Sequence, residues 1–360
     1  MKCVLLILVS MFSRFNLLCY ALLLAAWQQR SVLASDLGSD GGNVIWSEES
    51  LSSVADDKDK DKDSSWSSTI PTITIGNDVH GQPVIMPLLG AGTWQYNDTI
   101  AYQSICKAFS AGYTFVDTAL GYGNQIGAGK AIQDCWTSSR QNLFVMTKIP
   151  GGLNASQVHA AHALNLMQLQ LDYVDHLMTH FPSDWHATMA SKQARQEEWL
   201  ALEAIYKSGQ ARSIGISHYC PQHIEDILEV ATVLPSINQV EYHVGSQDVD
   251  HVMKMCHKYG IAFMSFSPLC GPCDISDPLD SLTHGQLVSE VATRYENVEP
   301  SQVSLRYIVQ QGIPVIPKSN SLAHIQSNRD IFRFRLSEAD MKRLQAATKP
   351  AAQAGDCDVP

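Results

Sequence analysis

The chain has 360 residues, of which 45% are hydrophobic and 17% charged, enough for one large globular domain or two small ones. A formal charge of -11 at pH 7 argues against a nucleic-acid surface, and acidity alone says nothing further about partners. Of the nine cysteines, Cys3 and Cys19 fall in the first residues and seven follow, so at least one of the seven is unpaired. A core this large does not need disulfides to stand.

Lys2 precedes an apolar run over 4–12; Ser13, Arg14 and Asn16 interrupt it, and a second run covers 17–27. Val32-Leu33-Ala34 then offers cleavage-type positions. Residues 1–34 therefore read as a secretory leader, which places the protein in the secretory pathway or outside the cell. An uncleaved membrane anchor using both runs is the alternative, although the second run is shorter than the roughly 20 residues a spanning helix needs. Asn97-Asp98-Thr99 and Asn154-Ala155-Ser156 match the glycosylation acceptor pattern and fit that route. Residues 35–69 include the alternating charges from Asp56 to Asp63 without an apolar face, and read as a disordered linker.

From residue 70 the pattern becomes periodic. Segments 72–75 and 84–86 flank a Gly-Asn-Asp-Val-His-Gly turn and predict a β-hairpin. Strands are predicted over 88–92, 115–118, 143–147, 173–178, 213–216, 237–240, 262–266 and 314–316. Helical spacing marks 98–111, 156–171, 196–208 and 301–311, and 268–281 reads as an irregular loop. Alternating strands and helices imply a parallel sheet with crossovers. Eight such units over about 270 residues match an α/β fold of the (β/α)8 TIM-barrel type with an N-terminal β-hairpin. The alternative, an open doubly wound sheet, calls for a dinucleotide Gly-rich fingerprint. The only candidate, Gly121, Gly123 and Gly127, has the wrong spacing and reads as a loop continuing the second strand. The barrel is expected over 70–349, with a short polar tail over 350–360.

A parallel barrel builds its site at the C-terminal strand ends. There the sequence places Asp117, Lys148, His180, Ser217 with His218, Gln239, Phe266 and, after the last strand, Lys318 with Ser319. Any one of these is unremarkable alone; the full set points to chemistry at one rim. With the motifs Asp117-Thr118-Ala119, Tyr122-Gly123-Asn124, Thr147-Lys148, His180-Phe181-Pro182, Asn238 through His243 and Ile316-Pro317-Lys318-Ser319, the chain resembles the aldo-keto reductase family over about residues 70–348.

The resemblance implies NADPH-dependent reduction of aldehydes or ketones by a tetrad of Asp117, Tyr122, Lys148 and His180, with NADH the less expected cofactor. Negative charge grows on a carbonyl oxygen during hydride attack and must be neutralised. Tyr122 would donate the proton, Lys148 would lower its ordinary pKa of about 10, Asp117 would fix Lys148, and His180 would orient the carbonyl. The resemblance further assigns Ser217, His218 and Gln239 to the nicotinamide carboxamide and Phe266 to its ring. Lys318 and Ser319 would take the 2′-phosphate, and Asn328 the adenine. His218 and Phe266 stand where the family has Asn and Tyr; His324 and Ser327 stand where it has Arg and Glu. The cofactor set is thus expected to bind less tightly. Trp94, Phe181, Ile149 and Trp185 would line an apolar substrate pocket, and the tail would add little to it.

No metal site is expected, and the protein is expected to act as a monomer on a small carbonyl compound. Two other functions remain open: a cofactor-binding regulatory barrel with little turnover, and a thiol-disulfide oxidoreductase using Cys270 and Cys273 of Cys270-Gly271-Pro272-Cys273. That tetrapeptide equally reads as a plain turn with unpaired thiols, or a disulfide closing its loop.

Overall fold

Two antiparallel strands, β1 (Thr72–Asn77) and β2 (Pro83–Pro87), form the expected hairpin. Asp78 makes the turn, its carboxylate accepting from the backbone N–H groups of His80 and Gln82. In this computed structural model the described residues are 69–184, 191–248, 250–271, 277–351 and 357. The expected leader and nearly all of the charged linker lie outside them.

Seven parallel strands follow in sequential order: β3 (Ala91–Gly92), β4 (Phe115–Asp117), β5 (Phe144–Ile149), β6 (His176–Thr179), β7 (Ile214–Ser217), β8 (Ile237–Glu241) and β9 (Ala262–Phe266). The eighth predicted strand, 314–316, contributes one residue. Val315 bridges in parallel to Leu89 on one side and Ser265 on the other, and this closes the ring as a (β/α)8 barrel. Backbone bonds hold the seam: Gly90 N–H to Val315 O, Val315 N–H to Leu88 O and Ser265 N–H to Pro314 O at 2.9 Å each, and Gly92 N–H to Pro317 O at 3.5 Å.

The period-2 alternation of a strand sorts its side chains into two cores. Phe115, Phe144, Met146, Met178, Ile237, Met264 and Ile316 point inward and meet Ile75, Val84 and Met86 of the hairpin, which plugs the barrel floor. Val116, Val145, Leu177, Ile214 and Phe263 point outward under the helices. Counting two residues on from the inward set reaches Asp117 from Phe115, Lys148 from Met146, Gln239 from Ile237 and Phe266 from Met264. The polar strand ends therefore sit on the inner face at the opposite end from the plug.

The outer helices are α1 (Asp98–Ser110), α2 (Gln125–Cys135), α3 (Ala155–Leu169), α4 (Lys192–Lys207), α5 (Pro221–Leu228), α6 (Val252–Tyr259), α7 (Gln286–Ala292), α8 (Pro300–Val309), α9 (Leu322–Arg329) and α10 (Glu338–Gln345). The asparagines of both glycosylation-type triplets begin helices: Asn97 accepts from Ile100 N–H, and Asn154 from Gln157 N–H in a capping box. The region around Gly127 is α2 rather than a loop. A Cβ on Gly127 would lie 2.1 Å from Asp98 O, so glycine here lets α2 press against the start of α1.

Disulfides are present, although a core of this size does not depend on them. Cys106 of α1 joins Cys135 at the end of α2, and Cys220 joins Cys357. Cys256 is buried and, among the described residues, the free thiol that the odd count requires.

Candidate active site

Asp117 and Lys148 come from neighbouring strands and meet in the barrel interior, 1% and 0% exposed. The Lys148 ammonium donates to Asp117 Oδ1 at 2.8 Å and Oδ2 at 2.7 Å, to Thr118 O at 3.1 Å and to the Tyr122 hydroxyl at 3.3 Å. Tyr122 lies in a 3-10 turn, Leu120–Tyr122, ended by Gly123 in the left-handed region that glycine tolerates. Asn124 anchors this loop by donating to Thr93 O at 2.7 Å and Tyr96 O at 2.9 Å. The His180 ring stands edge-on to Tyr122, centroids 5.4 Å apart, and stacks on Phe181 at 4.6 Å. The structure thus brings all four tetrad residues together.

Electrostatics in this nest differ from expectation in one respect. Burial first, and the Asp117 carboxylate second, push the Tyr122 phenol well above its ordinary value. The expected lowering by Lys148 does not appear because Asp117 neutralises the ammonium at contact distance, so the phenol faces an ion pair in a dry site. Burial also draws the Lys148 ammonium down, opposed by Asp117. His180 is held well below the ordinary imidazole range by burial, then by Lys148 and His218. A neutral imidazole and a protonated phenol, each with a hydrogen to donate, is the resulting state.

These groups open into a cavity of about 1140 Å³. Its walls include Trp94, Phe181, His218, Phe266 and Lys318, as expected. His218 forms the middle of an aromatic run, 4.6 Å from the Phe181 centroid and 4.7 Å from that of Phe266. Gln95, His218, Ser267 and Cys270 all follow strand ends here with positive φ, conformations that non-glycine residues seldom adopt. Lys318 is exposed at the rim; its ammonium reaches Gln95 Oε1 at 2.8 Å and lies 5.2 Å from the Tyr96 ring centroid.

Of the other expected positions Gln239 also lines the cavity, and Gln239, Ser217 and Ser319 are engaged within the protein. The Gln239 side-chain amide donates to Asp117 Oδ2 at 3.0 Å and touches the Met146 and Met264 sulfurs. Ser217 is fully buried and its hydroxyl donates to Gln239 O. These two buttress the ion pair from below. Ser319 and Asn328 lie off the cavity wall; the Ser319 hydroxyl accepts from Ser321 N–H. Ser327 donates to Glu299, and the backbone N–H of His324 goes to Ser321. Ile149 packs in the outer core, not in the pocket. Trp185 and Cys273 lie outside the described residues, and Cys270 is 3% exposed and already in a disulfide.

The C-terminal tail is the contribution that composition concealed. Thr348, Ala351 and Cys357 line the cavity, Cys357 is tied to Cys220 beside His218, and Gln222 donates to Cys357 O at 2.7 Å. Gly245 lets the chain pass: a Cβ there would meet the Lys349 carbonyl at 2.6 Å. Cysteine pairing across 137 positions has no signature in one sequence.

The Aldo/keto reductase family model matches residues 88–349. Glyoxal reductase of Bacillus subtilis is 33% identical over 74% of this chain and 90% of its own length. Aldo-keto reductase family 1 member A1 of Gallus gallus is 30% identical over 75% of this chain and 87% of its own. A solved aldo/keto reductase from Brucella melitensis superposes with a TM-score of 0.67 and 31% identity, covering 78% of this chain and 99% of that one. The comparisons correct the placement read from residues 1–34. The kinship is with these reductases, and no helix among the described residues is long and apolar enough to cross a membrane. The secretory or membrane-anchored assignment is corrected on this kinship alone, since residues 1–34 lie outside the described residues. Matched along the whole barrel and carrying its ion pair, phenol and imidazole at one rim, the chain belongs to the aldo/keto reductase family of carbonyl-reducing oxidoreductases.

Proposed function

We propose that the protein reduces aldehydes or ketones to alcohols with NADPH, Tyr122 giving the proton. The observation that carries this is the Lys148 ammonium, bound to both Asp117 oxygens and 3.3 Å from the Tyr122 hydroxyl at the cavity wall. The cavity suits the cofactor. Its volume of about 1140 Å³ exceeds what a small carbonyl compound alone would fill, one wall carries the Phe266 ring, and a rim position carries the Lys318 cation. Phe266 and His218 would flank the nicotinamide, Gln239 and Ser217 would support that wall from beneath, and Lys318 with Ser319 would meet the 2′-phosphate. Asn328, on α9, would meet the adenine.

NADPH, when bound, supplies the hydride to the carbonyl carbon. Tyr122, kept protonated by burial, donates its hydrogen to the carbonyl oxygen as charge develops there. Lys148 stands ready to stabilise the phenolate this leaves. His180 donates a hydrogen bond that orients the same oxygen. Trp94 and Phe181 exclude water around the substrate body. The aldehyde specificity named for the Bacillus relative, glyoxal, makes small dicarbonyls the first substrates to try.

Tyr122→Phe tests the assignment. Turnover should fall on the order of 10²- to 10⁴-fold, with NADPH affinity by fluorescence titration unchanged. Wild-type turnover in that variant would remove Tyr122 from the reaction. Sedimentation should give a single chain.

A further inference from the structure

The C-terminal segment passes the loop after β8 and ends against the loop after β7, where a covalent bond fixes it. Pro350 is buried, and Gly245 gives the chain room to pass: the carbonyls of Lys349 and Pro350 come to 2.6 Å of where a Cβ would stand. Cys357 is joined to Cys220, and its carbonyl oxygen accepts from the Gln222 side chain at 2.7 Å. Cys220 stands two residues beyond His218, and it lines the cavity with Tyr219, Thr348, Ala351 and Cys357. This sector of the wall is therefore built from two parts of the chain 137 positions apart, held by an S–S bond.

The two sulfurs of that bond differ in access. Cys220 is 3% exposed, whereas Cys357 is part-exposed, so a thiolate from solution meets the Cys357 side first. Cys220 occupies the capping position at the start of α5, where backbone N–H groups without helical partners favour negative charge. A thiolate expelled there is stabilised, and a disulfide opens faster the more stable its departing thiolate. Cys256 lies behind the same loop: the Asn238 amide donates to Tyr219 O at 2.8 Å and to the Cys256 sulfur at 3.7 Å. Burial pushes the Cys256 thiol up to about 12, so it supplies no thiolate near neutral pH. The reductant therefore comes from outside the protein.

We propose that the Cys220–Cys357 disulfide is a reducible strap: closed, it holds the C-terminal segment as a ready-made wall of the cavity; opened by a dithiol, it releases that wall and weakens dinucleotide binding. The effect on the dinucleotide rests on the functional reading above, in which His218 and Phe266 flank the nicotinamide. In the opening step the first thiolate of the dithiol bonds to the Cys357 sulfur, the S–S bond breaks, and its electron pair leaves on Cys220. The second thiolate then closes the reductant into its own disulfide and expels Cys357 as a thiolate. The reductant is oxidised, the protein is reduced, and the two protons of the dithiol end on Cys220 and Cys357. A wall already fixed in place spares each binding event the cost of ordering it, so loss of the strap is read as lost affinity.

The test uses the full chain, oxidised with glutathione disulfide or reduced with dithiothreitol, and titrates NADPH by fluorescence while peptide mass mapping reads the state of Cys220 and Cys357. In the reduced parent the NADPH Kd should rise about three- to tenfold, the cost of re-ordering one or two side chains at each binding event. Cys357→Ser should show that weaker Kd with or without dithiothreitol. Cys106→Ala with Cys135→Ala, and separately Cys270→Ala, should respond to dithiothreitol as the parent does. An unchanged Kd in the reduced parent, a response that persists in Cys357→Ser, or one that disappears in Cys270→Ala overturns the proposal. So does a parent in which Cys220 and Cys357 stay unlinked in glutathione disulfide. A parent that binds NADPH in neither state refutes the functional reading instead. The strap is then judged by amide hydrogen exchange: the amides of 346–351 should exchange faster once the bond is reduced, and equal exchange in the two states would sink it.

Discussion

Gln239 reaches across the barrel interior to Asp117, donating its side-chain amide at 3.0 Å to the same carboxylate oxygen that receives the Lys148 ammonium at 2.7 Å. The carboxylate is 1% exposed, so these donors stand in for its lost water. Lys148→Met would strip the cation and leave a buried, underpaired carboxylate, a change worth about 3–5 kcal/mol of stability. Asp117→Asn combined with Lys148→Met removes both charges and should recover most of that loss. Denaturant midpoints of the two variants, measured beside the parent, give the comparison; equal midpoints would show that the pair contributes nothing as a pair.

Lys318 is an exposed cation at the rim with Gln95 as its hydrogen-bond partner and aromatic rings beside it. A charge-assisted bond to the 2′-phosphate is worth about 1.5–3 kcal/mol. Lys318→Met should therefore weaken NADPH binding about 10- to 100-fold while leaving NADH affinity nearly unchanged. Titration of both dinucleotides against parent and variant checks it. Equal losses for the two would mean that Lys318 does not read the phosphate.

Two buried histidines and the part-buried His180 set the response to acid. Burial lowers His162 to about 4 and His176 to about 3, with Lys148 adding to the second, and it holds His180 well below the ordinary 6.5. The unfolded chain takes up protons on these rings before the folded one does. Stability present above about pH 6.5 is therefore lost as pH falls through the window toward 4. Each pH unit in that window is worth about 1.4 kcal/mol per histidine. His162→Leu should shrink the stability difference between pH 7 and pH 5 by roughly 2 kcal/mol, read from urea unfolding at the two pH values. An unaltered difference would exclude His162 as a contributor.

The Cys106–Cys135 disulfide joins two helices already pressed together at Gly127. Its separation of 29 residues corresponds in the chain-entropy model to about 3.6 kcal/mol. Cys106→Ala with Cys135→Ala should lower unfolding free energy by about that amount and leave kcat/KM for small aldehydes intact, since neither residue lines the cavity. A loss of activity without a loss of stability would contradict this.

The strands were legible as short apolar runs set between helical segments; 262–266 matches β9 at both ends. The predicted strand 314–316 shrank to one bridging residue because Pro314 and Pro317 flank it, and a proline nitrogen cannot donate to a ladder. Helices α5 and α6 went unread because eight residues give barely two turns, too few for a period to declare itself. Gly127 and Gly129 disguised α2 as a loop, although they serve helix packing. Strand-end position singled out Asp117, Lys148 and His180, whereas Tyr122, in the 3-10 turn after β4, came only with the family resemblance. The bond from Gln239 to Asp117 was not legible, because the partner of a buried amide is chosen by neighbours on distant strands, here β4. The tail at the cavity depends on a disulfide that no local pattern announces.

Closure at Val315 has a consequence for how the chain is made. A complete ring exposes no ladder of unpaired backbone groups that another chain could join. Until residue 315 has been synthesised, however, β3 and β9 are both open borders, and most of the sheet precedes it in the chain. Between the synthesis of residue 266 and that of residue 315 the nascent sheet thus carries two adhesive margins, which the segment around Val315 then closes.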